Sequence, residues 1–143
     1  MQDPHQLQRF VDAQHPIYER ALAELRAGHK QSHWMWFVFP QVAGLGRSDM
    51  AQRYAISNID EAMAYLAHPL LGPRLLECTQ AVLQHIGTSA RSILGSPDDM
   101  KLRSCMTLFR AAEPDQAEFQ LVLDGFYDGR PDQQTLDRLG DQS

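Results

Sequence analysis

Long apolar runs, clustered positive charge and a cysteine framework are all missing from this chain of 143 residues, and each absence removes a class of function. The longest unbroken apolar stretches, residues 34–39 and 62–67, are far short of the roughly 20 residues a membrane helix needs. Lys and Arg alternate with Asp and Glu, and the formal net charge is −5. Neutralising phosphates takes clustered basic side chains, so nucleic-acid binding is not expected. Residues 1–6 have neither the basic nor the apolar region of a secretion signal. Two cysteines, Cys78 and Cys105, make no disulfide scaffold, and both fall on apolar stripes that suit inert core thiols. A soluble cytoplasmic protein without a membrane partner is expected.

Motifs are as sparse as charge clusters. No Gly-x-Ser-x-Gly elbow, P-loop or His-Glu-x-x-His occurs, so no cofactor is expected. His29 and His33 are four apart, but Gly28 ends the preceding helix before them, and no metal site is expected. The composition, 43% apolar and 22% charged, is that of a globular chain. At this length a single core buries roughly 68–70% of the surface the unfolded chain exposes, so residues 1–143 read as one domain.

What is present is helical punctuation. Asp3 and Pro4 open a first helix with Leu7, Phe10 and Val11 on one stripe, and Pro16 interrupts it. Ile17, Ala21, Leu22 and Leu25 continue as a second helix closed by Gly28. Ser48 caps a helix to about Tyr54, and Ser57 or Asn58 opens another over 60–67 that buries Met63 and Leu66. Leu71, Leu75, Cys78, Val82 and Ile86 form one stripe closed by Gly87. A short helical turn over 89–94 follows. Ser96, Pro97, Asp98 and Asp99 combine a capping hydroxyl, an N1 proline and two first-turn carboxylates, ahead of Leu102, Cys105, Met106 and Phe109. Phe119, Val122, Leu123 and Phe126 mark another helix, Asp128 and Gly129 a turn, and Leu136 and Leu139 a last helix before Gly140. The fold class expected is all-α or mainly α, a single compact domain of about seven or eight short helices around one core.

Aromatics are only 8% of the chain, yet both tryptophans lie within residues 30–48. The stretch 33–41, closed by Pro40, is read as buried and mostly non-helical or one helical turn. If extended, alternation puts Trp34 and Trp36 on one face and Met35 and Phe37 on the other. Core filling is the default use of such rings, but polar groups bracket them. The ligand-binding candidates are Lys30, Ser32, Trp34, Trp36, Gln41, Gly44, Gly46, Arg47 and Ser48, with Asp98 and Lys101 from the later helix start. The two glycines before a helix start let backbone N–H groups face an anion beside Arg47. His33, beside buried aromatics, is the candidate general base.

Residues 32–41 (Ser-His-Trp-Met-Trp-Phe-Val-Phe-Pro-Gln), followed by Gly44, Leu45, Gly46 and Ser48, resemble a bacterial domain family of unknown function, number 1810. The likeness extends through Arg9 to Val11, Ala13 and Gln14, residues 51–56, residues 96–101 and residues 104–109, nearly the whole chain. It implies a compact, mainly helical domain with no established activity. Some members carry the label "calpastatin", an inhibitor that is disordered where this sequence has a capped, periodic core. The helical order and residues 98–109 are similar, more remotely, to the NADAR N-glycosidases of ADP-ribose-type and riboflavin-precursor substrates. That likeness implies a nucleotide-like pocket, but residues 6–9 lack the first-helix carboxylate of that group. The expectation is a pocket protein for a small anionic or nucleotide-like ligand, in one version a hydrolase. The alternative is a protein-interaction module that presents the 33–41 aromatics and has no catalytic activity.

Overall fold

The computed structural model describes residues 3–141. Among them the chain forms ten helices: α1 (Gln8–Gln14), α2 (Tyr18–Ala27), α3 (Met35–Val38), α4 (Asp49–Arg53), α5 (Ile59–Ala67), α6 (Leu71–Leu83), α7 (Ala90–Leu94), α8 (Asp98–Ala112), α9 (Ala117–Phe126) and α10 (Gln133–Asp141). The fold is all α, and the surplus over the expected seven or eight comes from the four- and five-residue helices α3, α4 and α7. Extended pairing among the described residues is confined to isolated bridges, one of them joining Val42 to Ile56.

The longest helix, α8, is the axis of the molecule. Leu102, Cys105, Met106, Leu108 and Phe109 are all completely buried on it, and it packs against α5, α7, α9 and α10. The second long helix, α6, meets α2, α3, α5 and α9. An aromatic ladder crosses the core, with Phe10 edge-on to Tyr65 at 5.2 Å, Tyr65 tilted on Phe109 at 5.3 Å, and Phe109 on Phe119 at 6.0 Å. Rings packed at these separations add a directional preference to the area they bury. Both cysteines are buried and free. Burial pushes the Cys78 thiol up to about 12 and the Cys105 thiol well above its usual value, so both are inert at neutral pH.

Local rules account for several helix ends. Gly28 closes α2 at φ 75°, a left-handed position that glycine occupies without strain. Ser48, Asn58 and Ser89 each accept the expected backbone N–H at the starts of α4, α5 and α7. Gly72 is there for space, since a Cβ would collide with the Leu66 carbonyl where α6 crosses the end of α5.

Several boundaries and phases differ from the pattern read along the chain. The first helix starts at Gln8, not Pro4, because the Asp3 carboxylate reaches forward to Leu7 N (2.8 Å) and Gln8 N (2.9 Å). On α5 the inward face is Glu61, Ala62 and Tyr65, while Met63 is exposed. A buried ion pair sets that phase. Ile86 is exposed because α6 ends at Leu83, before the stripe reaches it. Pro97 itself stands at the N-cap of α8 after a cis Ser96–Pro97 peptide, and no side chain caps that end. Gly140 lies inside α10. Residues 35–38 are one helical turn, so Trp34 and Trp36 do not share a face; Trp34 is completely buried and Trp36 half-buried.

The ion pair on α5 is Glu61 with Arg9, 2.9 Å apart, the carboxylate being 3% exposed. Arg9 spends all its donors: on Glu61 Oε2 and on the carbonyls of His5, Gln6, Arg53 and Ala55. It thereby ties α1 to the segment between α4 and α5. Removing one partner of such a pair leaves a buried charge without compensation. Arg9→Ala should therefore cost about 3 kcal/mol in urea unfolding. Arg9→Lys, with three donors in place of five, should restore less than half of it. A loss under about 1 kcal/mol for Arg9→Ala would mean the network is not a structural tie.

Candidate functional site

The site begins with a carboxylate on α2. Glu24 accepts from Gln31 N (2.8 Å), Ser32 N (3.0 Å), Ser32 Oγ (2.7 Å) and Trp34 Nε1 (2.8 Å). Burial alone would raise this acid, but the donors outweigh it and hold the carboxyl at about 2. The four bonds gather the link between α2 and α3 and draw the Trp34 indole into the core. At the far end of α3 the buried Gln14 donates to the Phe37 carbonyl at 2.7 Å. The short helical turn is thus held from both sides.

Above Trp34 the chain places a charged triad. Lys30 Nζ lies 2.8 Å from Asp98 Oδ2 and 5.2 Å above the Trp34 ring. Lys101 Nζ lies 3.5 Å from the other oxygen of Asp98 and 5.4 Å above the Trp36 ring. Two ammonium groups therefore share one carboxylate at the start of α8. Trp36 Nε1 is buried and has no hydrogen-bond partner among the described residues, an unusual condition for an indole N–H.

Two clefts open beside this triad. One, about 260 Å³, is lined by Lys30, His33, Trp34, Met35, Trp36, Ser96, Pro97 and Asp98. The other, about 270 Å³, is lined by Gln41, Leu45, Gly46, Pro97, Met100, Lys101, Ser104, Asp132 and Gln134. Pro97 borders both. A small void bordered by Trp36, Gln41, Gly46, Tyr54 and Lys101 lies between the tryptophan and the second cleft.

The protein-family description that matches this chain is "Protein of unknown function (DUF1810)", over residues 4–139. The chain belongs to this family. A solved structure similar to this DUF1810 chain is the crystal structure of the conserved hypothetical protein Rv1873 from Mycobacterium tuberculosis. The two are 53% identical with a TM-score of 0.95, over 96% of this chain and 99% of the other. Among curated proteins no match is found. No helix among the described residues is long and apolar enough to cross a membrane.

Within this DUF1810 fold the sequence candidates separate into two groups. Lys30, His33, Trp34, Trp36, Gln41, Gly46, Asp98 and Lys101 all border the two clefts. Trp34 differs from the stacking role expected of it: completely buried, with its N–H on Glu24, it is floor and offers no free face. Ser32 is occupied by Glu24. Gly44, Arg47 and Ser48 do not line the clefts. The Gly44 carbonyl accepts from Arg138 at 3.3 Å, Ser48 caps α4, and Arg47 is exposed. Gly46 earns its place by packing, since a Cβ there would strike Ala51. Both glycines of this loop thus have packing neighbours of their own. Residues 33–41 do not form an exposed aromatic patch, because Trp34, Met35, Val38, Phe39 and Pro40 are buried.

Sequence reading missed Glu24 and the α10 wall. Nothing local marks Glu24, whose partners lie seven to ten positions ahead. Asp132 did carry a signal, standing after Pro131 and three residues before Thr135. Its Oδ2 caps α10 by accepting from Thr135 N (3.0 Å) and also accepts from Ser104 Oγ (3.1 Å) on α8.

Because its folded carboxyl lies below the usual 4.5, Glu24 contributes stability that is complete above about pH 4.5 and disappears as pH falls toward 2. Glu24→Ala should lose about 2 kcal/mol at neutral pH and flatten the fall of stability across that acid window. Urea titrations at several pH values check both; parallel acid limbs for the variant and the wild type would contradict this account.

Proposed function

We propose that this DUF1810 chain binds a small anionic ligand, nucleotide-like in carrying a planar ring beside its charge, at the ridge formed by Trp36 and Lys101. The observation that carries this reading is the shared carboxylate. Lys30 and Lys101 both pair with Asp98, at 2.8 and 3.5 Å, which leaves the triad itself with one positive charge in excess, while the Asp132 carboxylate on another wall of the second cleft is engaged by Ser104 and Thr135. A charge held partly out of water attracts counter-charge more strongly than a fully hydrated one. Lys30, 9% exposed on the shorter contact, anchors Asp98, whereas Lys101, 26% exposed on the longer one, is free to turn toward a ligand. The Trp36 indole supplies an apolar wall, and the N-terminus of the fifteen-residue α8 adds its dipole to the same place. Each cleft lies just below the range of small-molecule sites, about 300–1,000 Å³.

Binding is the core of this reading, and hydrolysis is its extension. His33, exposed on the rim of the cleft that holds Lys30, is the side chain placed to accept a proton there.

Calorimetry and thermal shift with AMP, ADP-ribose and ribose 5-phosphate test the proposal. Binding should weaken with added salt and quench tryptophan emission through Trp36. Lys101→Ala should lower affinity at least about tenfold, or 1.4 kcal/mol, and Arg47→Ala should leave it unchanged. Product release, abolished in His33→Gln, would add turnover. No binding by any of the three at millimolar concentration would overturn the proposal.

A further inference from the structure

We infer that the ring of the ligand carries an amide-like edge, as a nucleobase does, and that Gln41 and Gln134 read that edge. This deepens the anion-site reading and rests on it. The 270 Å³ cleft is walled by the loop after α3 on one side and by the start of α10 on another, and these two sides contribute Gln41 and Gln134.

Ser104 and one oxygen of Asp132 are already engaged. Asp132 Oδ2 takes bonds from Thr135 N and Thr135 Oγ1, and the single Ser104 hydroxyl hydrogen is shared between that oxygen and the Met100 carbonyl, at 3.1 and 3.2 Å. The two carboxamides are different. The main chain of Gln41 is fixed, its carbonyl accepting from Ile56 N at 2.9 Å. Its side chain, like that of Gln134, makes no hydrogen bond to the described residues. Each carboxamide offers a carbonyl acceptor and two N–H donors. That pattern matches ring edges that display a donor beside an acceptor, as in the bidentate pairing of Asn or Gln with adenine.

Apolar contact for the faces of a ring is present in the same cleft. Met100 is 49% exposed despite its place on the central helix, and Leu45, half-buried, lines the same cleft. An exposed thioether at a cleft rim suits an aromatic ring, which a sulfur contacts favourably. Lys101 lines this cleft too, so a ring held by the glutamines keeps its anionic group within reach of the ammonium.

Calorimetry with AMP, UMP, ribose 5-phosphate and uridine on the wild type, Gln41→Leu, Gln134→Ala and Lys101→Ala separates the two levels of the claim. At least one nucleotide should bind the wild type tenfold or more tightly than ribose 5-phosphate. Gln41→Leu and Gln134→Ala should bring that nucleotide down to the level of ribose 5-phosphate without changing ribose 5-phosphate itself. Gln134 is exposed on a helix, so its variant should keep the wild-type melting temperature and isolate the binding effect. If nucleotides and ribose 5-phosphate bind alike, the amide-edge inference falls and the anion site stands. If the nucleotide preference survives in both glutamine variants, the ring is read elsewhere and the inference falls. If nothing binds, both levels fall together.

Discussion

Between α2 and α3 the chain reverses through residues 28–34, and the polar hydrogens exposed by that reversal converge on the carboxylate of Glu24. The first cleft follows from this convergence. Because the Trp34 N–H ends there, its ring is pulled into the core. With Trp34 fixed, the single turn of α3 carries Trp36 round to the half-buried side, where Lys101 lies over it. With the link pinned, Lys30 stands at the start of α8 and closes on Asp98. A carboxylate with four donors is a strong constraint because each charge-assisted bond exceeds a neutral one.

The site is therefore built from three distant parts of the chain that share no local signal. The reversal after α2 supplies Lys30 and the tryptophans, the first turn of α8 supplies Asp98 and Lys101, and the start of α10 closes the second cleft. The last of these is held by polar docking. Asp132 caps its own helix and accepts from Ser104 on α8 with the same oxygen, while Thr107 on α8 accepts from Asp132 N. Buried hydroxyls with all their bonds made hold an element in one place without a large apolar face. This is how a helix as polar as α10 contributes a wall.

Much of the fold was legible because it rests on short-range chemistry. Gly28, Ser48, Asn58 and Ser89 end or begin helices as their residue types require. The apolar stripe of α8 faced inward as spaced, with Leu102, Cys105, Met106 and Phe109 all buried. The errors lie where a distant partner overrode a local pattern. Met63 looked like the buried residue of α5 until Arg9, from the first helix, claimed Glu61 and rotated that face inward. In the loop of Gly44, Gly46, Arg47 and Ser48, the packing of the two glycines against Arg138 and Ala51 was equally out of reach of any local pattern.

By itself the sequence determined the helical class, several helix ends and much of the composition of the core, and it singled out residues 30–48, part of which lines the two clefts. These depend on periodicity and capping, which act over three or four residues. Only the tertiary structure decided which tryptophan is floor and which is wall, that Arg47 stays outside while Lys101 comes in, and that Gln134 faces the same cleft as Gln41. Those outcomes depend on long-range hydrogen bonds and ion pairs. Their partners are chosen by packing in three dimensions, and no spacing along the chain encodes them.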